Sequence, residues 1–294
     1  MSDEMAILIA KKFIQRRDVK AKQMGNGGYF PVTNCPGGDC THEDDVRLPF
    51  TMADINDHLN KQKTFGHYLL DMEDKCKLFA FDVDLEQNRP PTPGEPEGFT
   101  GTWCELPDIN SLSDDATDND YQAAVKYHSF DAREAWLDRG NPGRGWLKYQ
   151  LRVMAEKLSR TIKEEFDLPV ACAYSGSKGI HVYGFTGTVP AREAREAAEL
   201  VLNLLGEFEL YRGSNFFRTI DQTPLKGFPN LSIEVFPKQV TLDGKDLGNL
   251  MRLPLGRNMK TQDPTFFLDQ RAPMGQLVPH PDPVSLLENG SPWS

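Results

Sequence analysis

Residues 77–86 read KLFAFDVDLE, an apolar run that turns, from Phe81 onward, into alternation of apolar and acidic residues. A period of two marks an extended strand, because successive side chains point to opposite faces. Phe81, Val83 and Leu85 then share one face, and Asp82 and Asp84 share the other. Two carboxylates on one strand face repel each other unless a proton or a cation stands between them, and a divalent metal is the economical partner. The same pattern also suits a strand end whose acids are simply solvated.

On the amino-terminal side of this strand, HYLLD (67–71) predicts another strand, with MEDK (72–75) as the turn of a hairpin between the two. TMADINDHLN (51–60) predicts a helix capped by Thr51 or Asp54, and residues 6–22 predict a helix closed by GNGG at 25–28. On the carboxyl side, LPVACAYS (168–175) predicts a buried strand, followed by the turn GSKG and a strand from Ile180. Helical periodicity covers 131–138, 145–165 and 190–205, the last with Pro190 in its first turn, where a missing amide costs nothing. NFFRTIDQ, LSIEVFPKQ and GNLMRLPLG follow as short apolar segments between turn residues. Strands interspersed with helices predict an α+β core of mixed sheets flanked by helices.

We expect one catalytic domain over residues 1–270. Its tract 87–130 (QNRPPTPGEPEG, then LPDINSLSDDATDND) is too poor in apolar residues for a core of its own and reads as an insertion or mobile loop. Residues 271–294 read as a Pro-rich, loosely packed tail.

Composition narrows the function classes. With 294 residues, 39% of them hydrophobic and 26% charged, a disordered or fibrous chain is excluded. A chain this long buries roughly three quarters of its unfolded surface without help from disulfides. No apolar run reaches the roughly 18 to 20 residues of a membrane helix, and the amino terminus lacks a secretory signal, so the expected location is the cytoplasm with no membrane partner. The net charge of −10 does not attract a polyanion, so a nucleic acid needs a local basic patch, for which Lys11, Lys12, Arg16, Arg17, Lys20 and Lys22 are candidates. Five cysteines, an odd number, suit a reducing compartment rather than a disulfide framework. NCPGGDCTH (34–42) brings Cys35, Cys40 and His42 together as ligands for a possible structural Zn2+, with Cys76 as the first candidate to complete the set.

Two further segments carry chemistry. In YSGSKGIHVYGF (174–185), Gly176 and Gly179 permit a tight turn, Ser175 and Ser177 bring hydroxyls, Lys178 brings a positive head group and His181 begins the outgoing strand. Such a turn cradles the phosphates of a nucleotide, although it is not a P-loop, since the spacing differs and no helix follows the lysine; a hairpin turn with a packed histidine is the plain alternative. In LSIEVFPKQ (231–239), Glu234 stands between Ile233 and Val235. If it shares a cleft with Asp82 and Asp84, the three acids suit metal-dependent phosphoryl transfer; by alternation alone it faces water.

The ordered set of DVD at 82–84, SGSKGIHV at 175–182 and a strand acid at 234 resembles the catalytic subunit of archaeo-eukaryotic primases and their primase-polymerase relatives in phages, plasmids and bacteria. RRDVKAKQ (16–23), GGYFPV (27–32) and DHLNKQKTFGHYLL (57–70) resemble the amino-terminal region of such enzymes from bacterial mobile elements and conflict systems, so the resemblance spans residues 10–265 except for 87–130. It implies an archaeo-eukaryotic primase-like core and a DNA primase-polymerase that adds (d)NTPs on a single-stranded DNA template and releases pyrophosphate. Asp82, Asp84 and Glu234 are then the catalytic acids that hold Mg2+ or Mn2+, with glutamate where the family often has aspartate. Ser175, Ser177, Lys178, Gly179 and His181 hold the incoming nucleotide, and Arg252 in GNLMRLPLG approaches it. For the DNA template and primer strand, Arg16, Arg17 and Lys20 meet phosphates and Tyr29 or Phe30 stacks on a base. Separate helicase or replication proteins are the expected partners. Two other readings remain: a primer-dependent repair or gap-filling polymerase, and a catalytically silent nucleotide- or DNA-binding protein.

Overall fold

The computed structural model describes residues 3–35, 46–85, 102–105, 126–129, 132–206, 208–210, 216–219, 231–273 and 275–293. In chain order, Asp3–Lys12 forms α1, Ala21–Gln23 β1, Tyr29–Pro31 β2, Met52–Leu59 α2, Phe65–Tyr68 β3 and Lys75–Leu85 β4. Thr102–Glu105 (β5) and Lys126–Ser129 (β6) are followed by Ala132–Leu137 (α3), Pro142–Phe166 (α4), Val170–Tyr174 (β7), Gly179–Pro190 (β8) and Ala191–Leu205 (α5). Phe208–Leu210 (β9), Phe216–Thr219 (β10), Leu231–Phe236 (β11), Leu250–Arg252 (β12), Phe266–Phe267 (β13) and Pro283–Asn289 (α6) complete the described elements.

Among the described residues the strands form a seven-stranded sheet in the order β13-β7-β8-β4-β11-β10-β9, a four-stranded sheet β12-β3-β1-β2 and the pair β5-β6. Every ladder between these strands is antiparallel. Sheets flanked by helices agree with the expected α+β class.

The strand 75–85 occupies the middle of the large sheet, and its alternation decides what faces where: Val83 and Leu85 are buried, whereas Asp82 and Asp84 keep partial access to water. The helices α4 and α5 pack against β8 and β4. On α4 the stripe Leu147, Leu151, Met154, Leu158 and Ile162 is fully buried, a helical spacing of three and four. On α5 the matching stripe is Ala194, Ala198, Val201 and Leu202, and both join one core with Phe81, Val83 and Leu85. Pro142 at the first turn and Asn141, whose side chain accepts from Gly143 N, start α4; Gly206 at φ 65° ends α5. Elsewhere in the core, Phe13 sets its ring edge-on to Tyr183 and Phe185 and stacks on Phe267, so the segment after α1 closes over β8.

Several expectations need correction. The first helix ends at Lys12 rather than near residue 22, because the chain from Ala21 is paired into a sheet on both sides. GNGG is the tip of the β1–β2 hairpin, with Gly27 at φ 92° and Met24 N donating to Gly28 O; Asn-Gly is a strong hairpin signal. HYLLD and KLFAFDVDLE are joined by a turn, Asp71 N donating to Lys75 O, yet they diverge into different sheets: β3 lies between β1 and β12, so both of its edges are taken. Within 87–130, read as a loop, Thr102–Glu105 pairs with Lys126–Ser129, and β5 lies against α4; the remainder lies outside the described residues. The segment after residue 271 is packed, not loose. Leu286 and Leu287 of α6 are fully buried, Asp282 caps the helix, and Val170 N donates to Gly290 O.

Candidate active site

Three adjacent strands of the large sheet place one functional side chain each at the same height. His181 on β8 is the direct cross-strand partner of Asp82 on β4, and Asp82 is the direct partner of Glu234 on β11. Strands in a sheet lie about 4.8 Å apart, and directly opposed side chains share a face. Asp84, two residues along from Asp82, joins the same face, opposed by Gly179 and Ser232. A strand pair, a turn and a third strand separated by about 150 residues of chain thus converge on one row. Gly179 makes the convergence possible, since a Cβ there would overlap Asp84 Oδ1 and the carbonyl oxygen of Val83.

The acids lie on the floor of a cleft, surrounded by protein yet open to water, with 29% of the Asp82 side chain and 37% of the Asp84 side chain exposed. Burial, and next the charge of Glu234, push the Asp82 carboxyl up to about 6, partly offset by Arg252, Lys178 and Lys238. Asp84 is raised for the same kind of reason, burial first and the charge of Asp82 second. Each acid has a basic or imidazole neighbour. Lys178 Nζ is 3.2 Å from Asp84 Oδ2 and donates to Leu85 O at 3.0 Å. Lys238 Nζ forms an ion pair with Glu234 Oε1 while standing 4.8 Å from the centre of the Phe236 ring. His181 Nε2 is 3.4 Å from Asp82 Oδ1, and its Nδ1 is 2.8 Å from the Tyr183 hydroxyl. Burial holds the His181 imidazole down at about 3, so the ring is neutral; with its proton on Nε2 it faces Asp82, and Nδ1 then accepts from Tyr183.

The turn that precedes His181 is braced from three directions. Ser175 N donates to Gly179 O, Trp136 Nε1 and the Tyr174 hydroxyl donate to Ser177 O, and Asn258 Nδ2 donates to Ser175 O. Gly176, at φ 71°, is closely surrounded by Asn258, Asp263 and Thr265, so a larger residue there is strained in backbone and tight against its neighbours. Arg252, on β12 of the small sheet, brings its charge to bear on Asp82, His181, Tyr29 and Tyr183. Burial pushes the Tyr29 hydroxyl up to about 12 beside it.

Over residues 4–291 the chain matches the family described as the TOTE conflict system, Archaeo-Eukaryotic Primase domain. It belongs to that family. Among curated proteins none matches it.

In this primase-domain chain ladders, ion pairs and electrostatic neighbours bring together Asp82, Asp84, Glu234, Lys178, Gly179, His181 and Arg252, whereas Ser175 and Ser177 lie in the turn that leads into β8 and are tied to it through their backbone. The carboxylate oxygens are hard donors of the kind Mg2+ and Mn2+ take. Glu234 Oε1 is buried and meets only the ammonium of Lys238, and by donor chemistry alone the three carboxylates fit a divalent cation. Among the described residues, however, no group of three or more His, Cys, Asp or Glu side chains is drawn together as a metal cage. The ion pairs account for this, since Asp84 and Glu234 are each drawn toward their own lysine.

Other expected residues fall elsewhere. Arg16 is 3% exposed and held by Asp18 and Asp246, and Lys20 is 2.6 Å from Asp54, so neither is free to meet a DNA phosphate. Tyr29 faces Arg252 in the cleft, whereas Phe30, on the opposite face of the same strand, is exposed beside its cross-strand partner Lys22. Cys40 and His42 lie outside the described residues, and Cys35 is disulfide-bonded, a state in which its sulfur offers no thiolate to zinc. Cys76 is fully buried in the core and its thiol is pushed up to about 12, which keeps it protonated. No helix among the described residues is long and apolar enough to cross a membrane.

Sequence reasoning missed Lys238, Tyr183 and Arg195. Arg195 of α5 is buried and donates to Val235 O and Pro237 O, both at 3.1 Å, which anchors the strand exit that carries Glu234 and Lys238. Tyr183 had a readable signal: it lies two residues beyond His181 and so on the same strand face.

Proposed function

We propose that this chain is a template-directed nucleotidyltransferase, a DNA primase-polymerase that takes (d)NTPs onto single-stranded DNA and releases pyrophosphate. The observation that supports it is the row His181–Asp82–Glu234 across three strands, with Asp84 on the same face and the braced Ser175–Lys178 turn at its edge. Asp82, Asp84 and Glu234 would hold Mg2+ or Mn2+, which when bound supplies charge stabilisation to the phosphoryl group being transferred.

The chain's own groups perform the remaining work. Lys178 and Arg252 both act on the acids and would offset the negative charge of a triphosphate, an effect strengthened where solvent is limited. Neutral His181 turns its single N–H, on Nε2, toward Asp82 and adds no positive charge beside the nearby cations. The turn at 175–178 is held by hydrogen bonds to its carbonyls, so it binds without first having to be ordered. The pairing of Asp84 with Lys178 and of Glu234 with Lys238 favours a second reading, a nucleotide- or DNA-binding protein that performs no transfer.

Incubation with labelled nucleotides on a single-stranded template, with and without an annealed primer, tests the proposal. Product on the bare template is expected. Product only with primer reduces the activity to extension, and nucleotide binding without product in either arm favours the silent reading.

A further inference from the structure

The ion pair between Lys238 and Glu234 is unusual in its setting. Glu234 stands in the row of acids, its Oε1 is buried, and the lysine that meets it is itself only 29% exposed and stacked over Phe236. The backbone around the pair is fixed, because Arg195 holds the carbonyls on both sides of Phe236. Lys178 stands in the same relation to Asp84 on the neighbouring strand. A cation entering this row must therefore displace ammonium groups as well as its own water.

We propose that Lys238 is the internal counter-ion of Glu234, so that a divalent cation binds poorly by itself and well when it arrives with a nucleoside triphosphate, whose phosphates take over the released lysine. This rests on the nucleotidyltransferase reading and adds to it an order of binding. The lysine opposes the bare cation and favours the cation–triphosphate complex, because its positive charge repels the first and attracts the excess negative charge of the second. One substitution then has effects of opposite sign on two ligands, a pattern that loss of structure does not produce.

Binding of Mn2+ alone is read from the paramagnetic signal of free Mn2+ in titrations of the intact chain, and binding of the Mn2+–ATP complex from retention of labelled ATP in equilibrium dialysis at saturating Mn2+, in wild type, Lys238→Met, Lys238→Arg and Asp82→Asn. We expect Lys238→Met to bind bare Mn2+ about tenfold more tightly than wild type, the effect of some 1.4 kcal/mol of removed repulsion, and to bind the Mn2+–ATP complex more weakly. Lys238→Arg should resemble wild type, and Asp82→Asn should bind neither. Equal or weaker binding of bare Mn2+ by Lys238→Met, with Asp82-dependent binding intact in wild type, overturns the counter-ion role alone. Absence of any Asp82-dependent Mn2+ binding in wild type and both lysine variants, with or without ATP, overturns the counter-ion role and the metal-dependent reading together.

Discussion

Gly179 is the residue at which a single methyl group bears most directly on the site. Its Cα passes so close to Asp84 and to the Val83 carbonyl that an added Cβ has nowhere to go without moving one of the acids. Gly179→Ala should cost about 1–3 kcal/mol of stability, as overpacking does, and should depress nucleotide incorporation further than that loss explains. Thermal unfolding and incorporation measured on the same preparation check this; full activity would show that Asp84 can shift freely. At this scale the sequence was informative where spacing carries geometry. Two aspartates two apart on a strand have to share a face; Gly179 was readable only as a turn residue, and its close approach to Asp84 depends on how β8 pairs with β4. Lys238 was not legible, because its meeting with Glu234 depends on how the chain leaves β11 and on an arginine of α5, not on any period in residues 231–239.

At the scale of the element, α2 shows local signals acting together. Thr51 accepts from Asp54 N while the Asp54 side chain accepts from Thr51 N, a capping box, and Lys20 closes on the same aspartate. Thr51→Ala should cost about 1 kcal/mol, seen as a lower unfolding midpoint with incorporation unchanged. Arg195→Met should act differently. It leaves the carbonyls of Val235 and Pro237 without their buried donor, a loss of about 1–3 kcal/mol, and loosens the strand exit beyond Glu234, so incorporation should fall with stability. Unchanged incorporation in that variant would show that the exit is held by other contacts. The helices α2, α4 and α5 were readable because caps and a three-and-four spacing are local. The sheet partners were not. β3 joins β12, some 180 residues away, and nothing within HYLLD distinguishes that pairing from a hairpin with the next strand.

For the whole molecule, three buried histidines, His58, His67 and His181 of the site, make stability depend on pH. His58 links α2 to the small sheet and the loop beyond it, its Nδ1 accepting from Phe65 N and its Nε2 donating to Pro254 O, and burial holds it down at about 4. His67 on β3, also fully buried, is held down at about 3. The unfolded chain takes up protons at the ordinary histidine value near 6.5 while the folded chain does not, so stability is full above that pH and falls as pH drops toward 4. His58 alone accounts for roughly 3 kcal/mol across this window. The Asp82 carboxyl, raised to about 6, works in the opposite direction, since below that pH the folded chain binds a proton the unfolded chain does not. Urea midpoints of Asp82→Asn, which lacks that opposing group, should therefore decline between pH 7 and pH 4, and a flat profile would contradict the buried neutral histidines. The net charge of −10 gave no hint of a site for an anionic substrate, because Lys178, Lys238 and Arg252 are distributed over three separate segments and meet only once the two sheets have formed. Everything proposed for this chain turns on metal-dependent nucleotidyl transfer at the row of acids. The most direct measurement compares the wild type with Asp82→Asn plus Asp84→Asn, shown by circular dichroism to be folded, for labelled nucleotide incorporated on a single-stranded template in Mg2+ or Mn2+. Product should require the metal and fall at least about a hundredfold in the double variant; equal product from both proteins, or none from the wild type, would show that these acids do not perform nucleotidyl transfer.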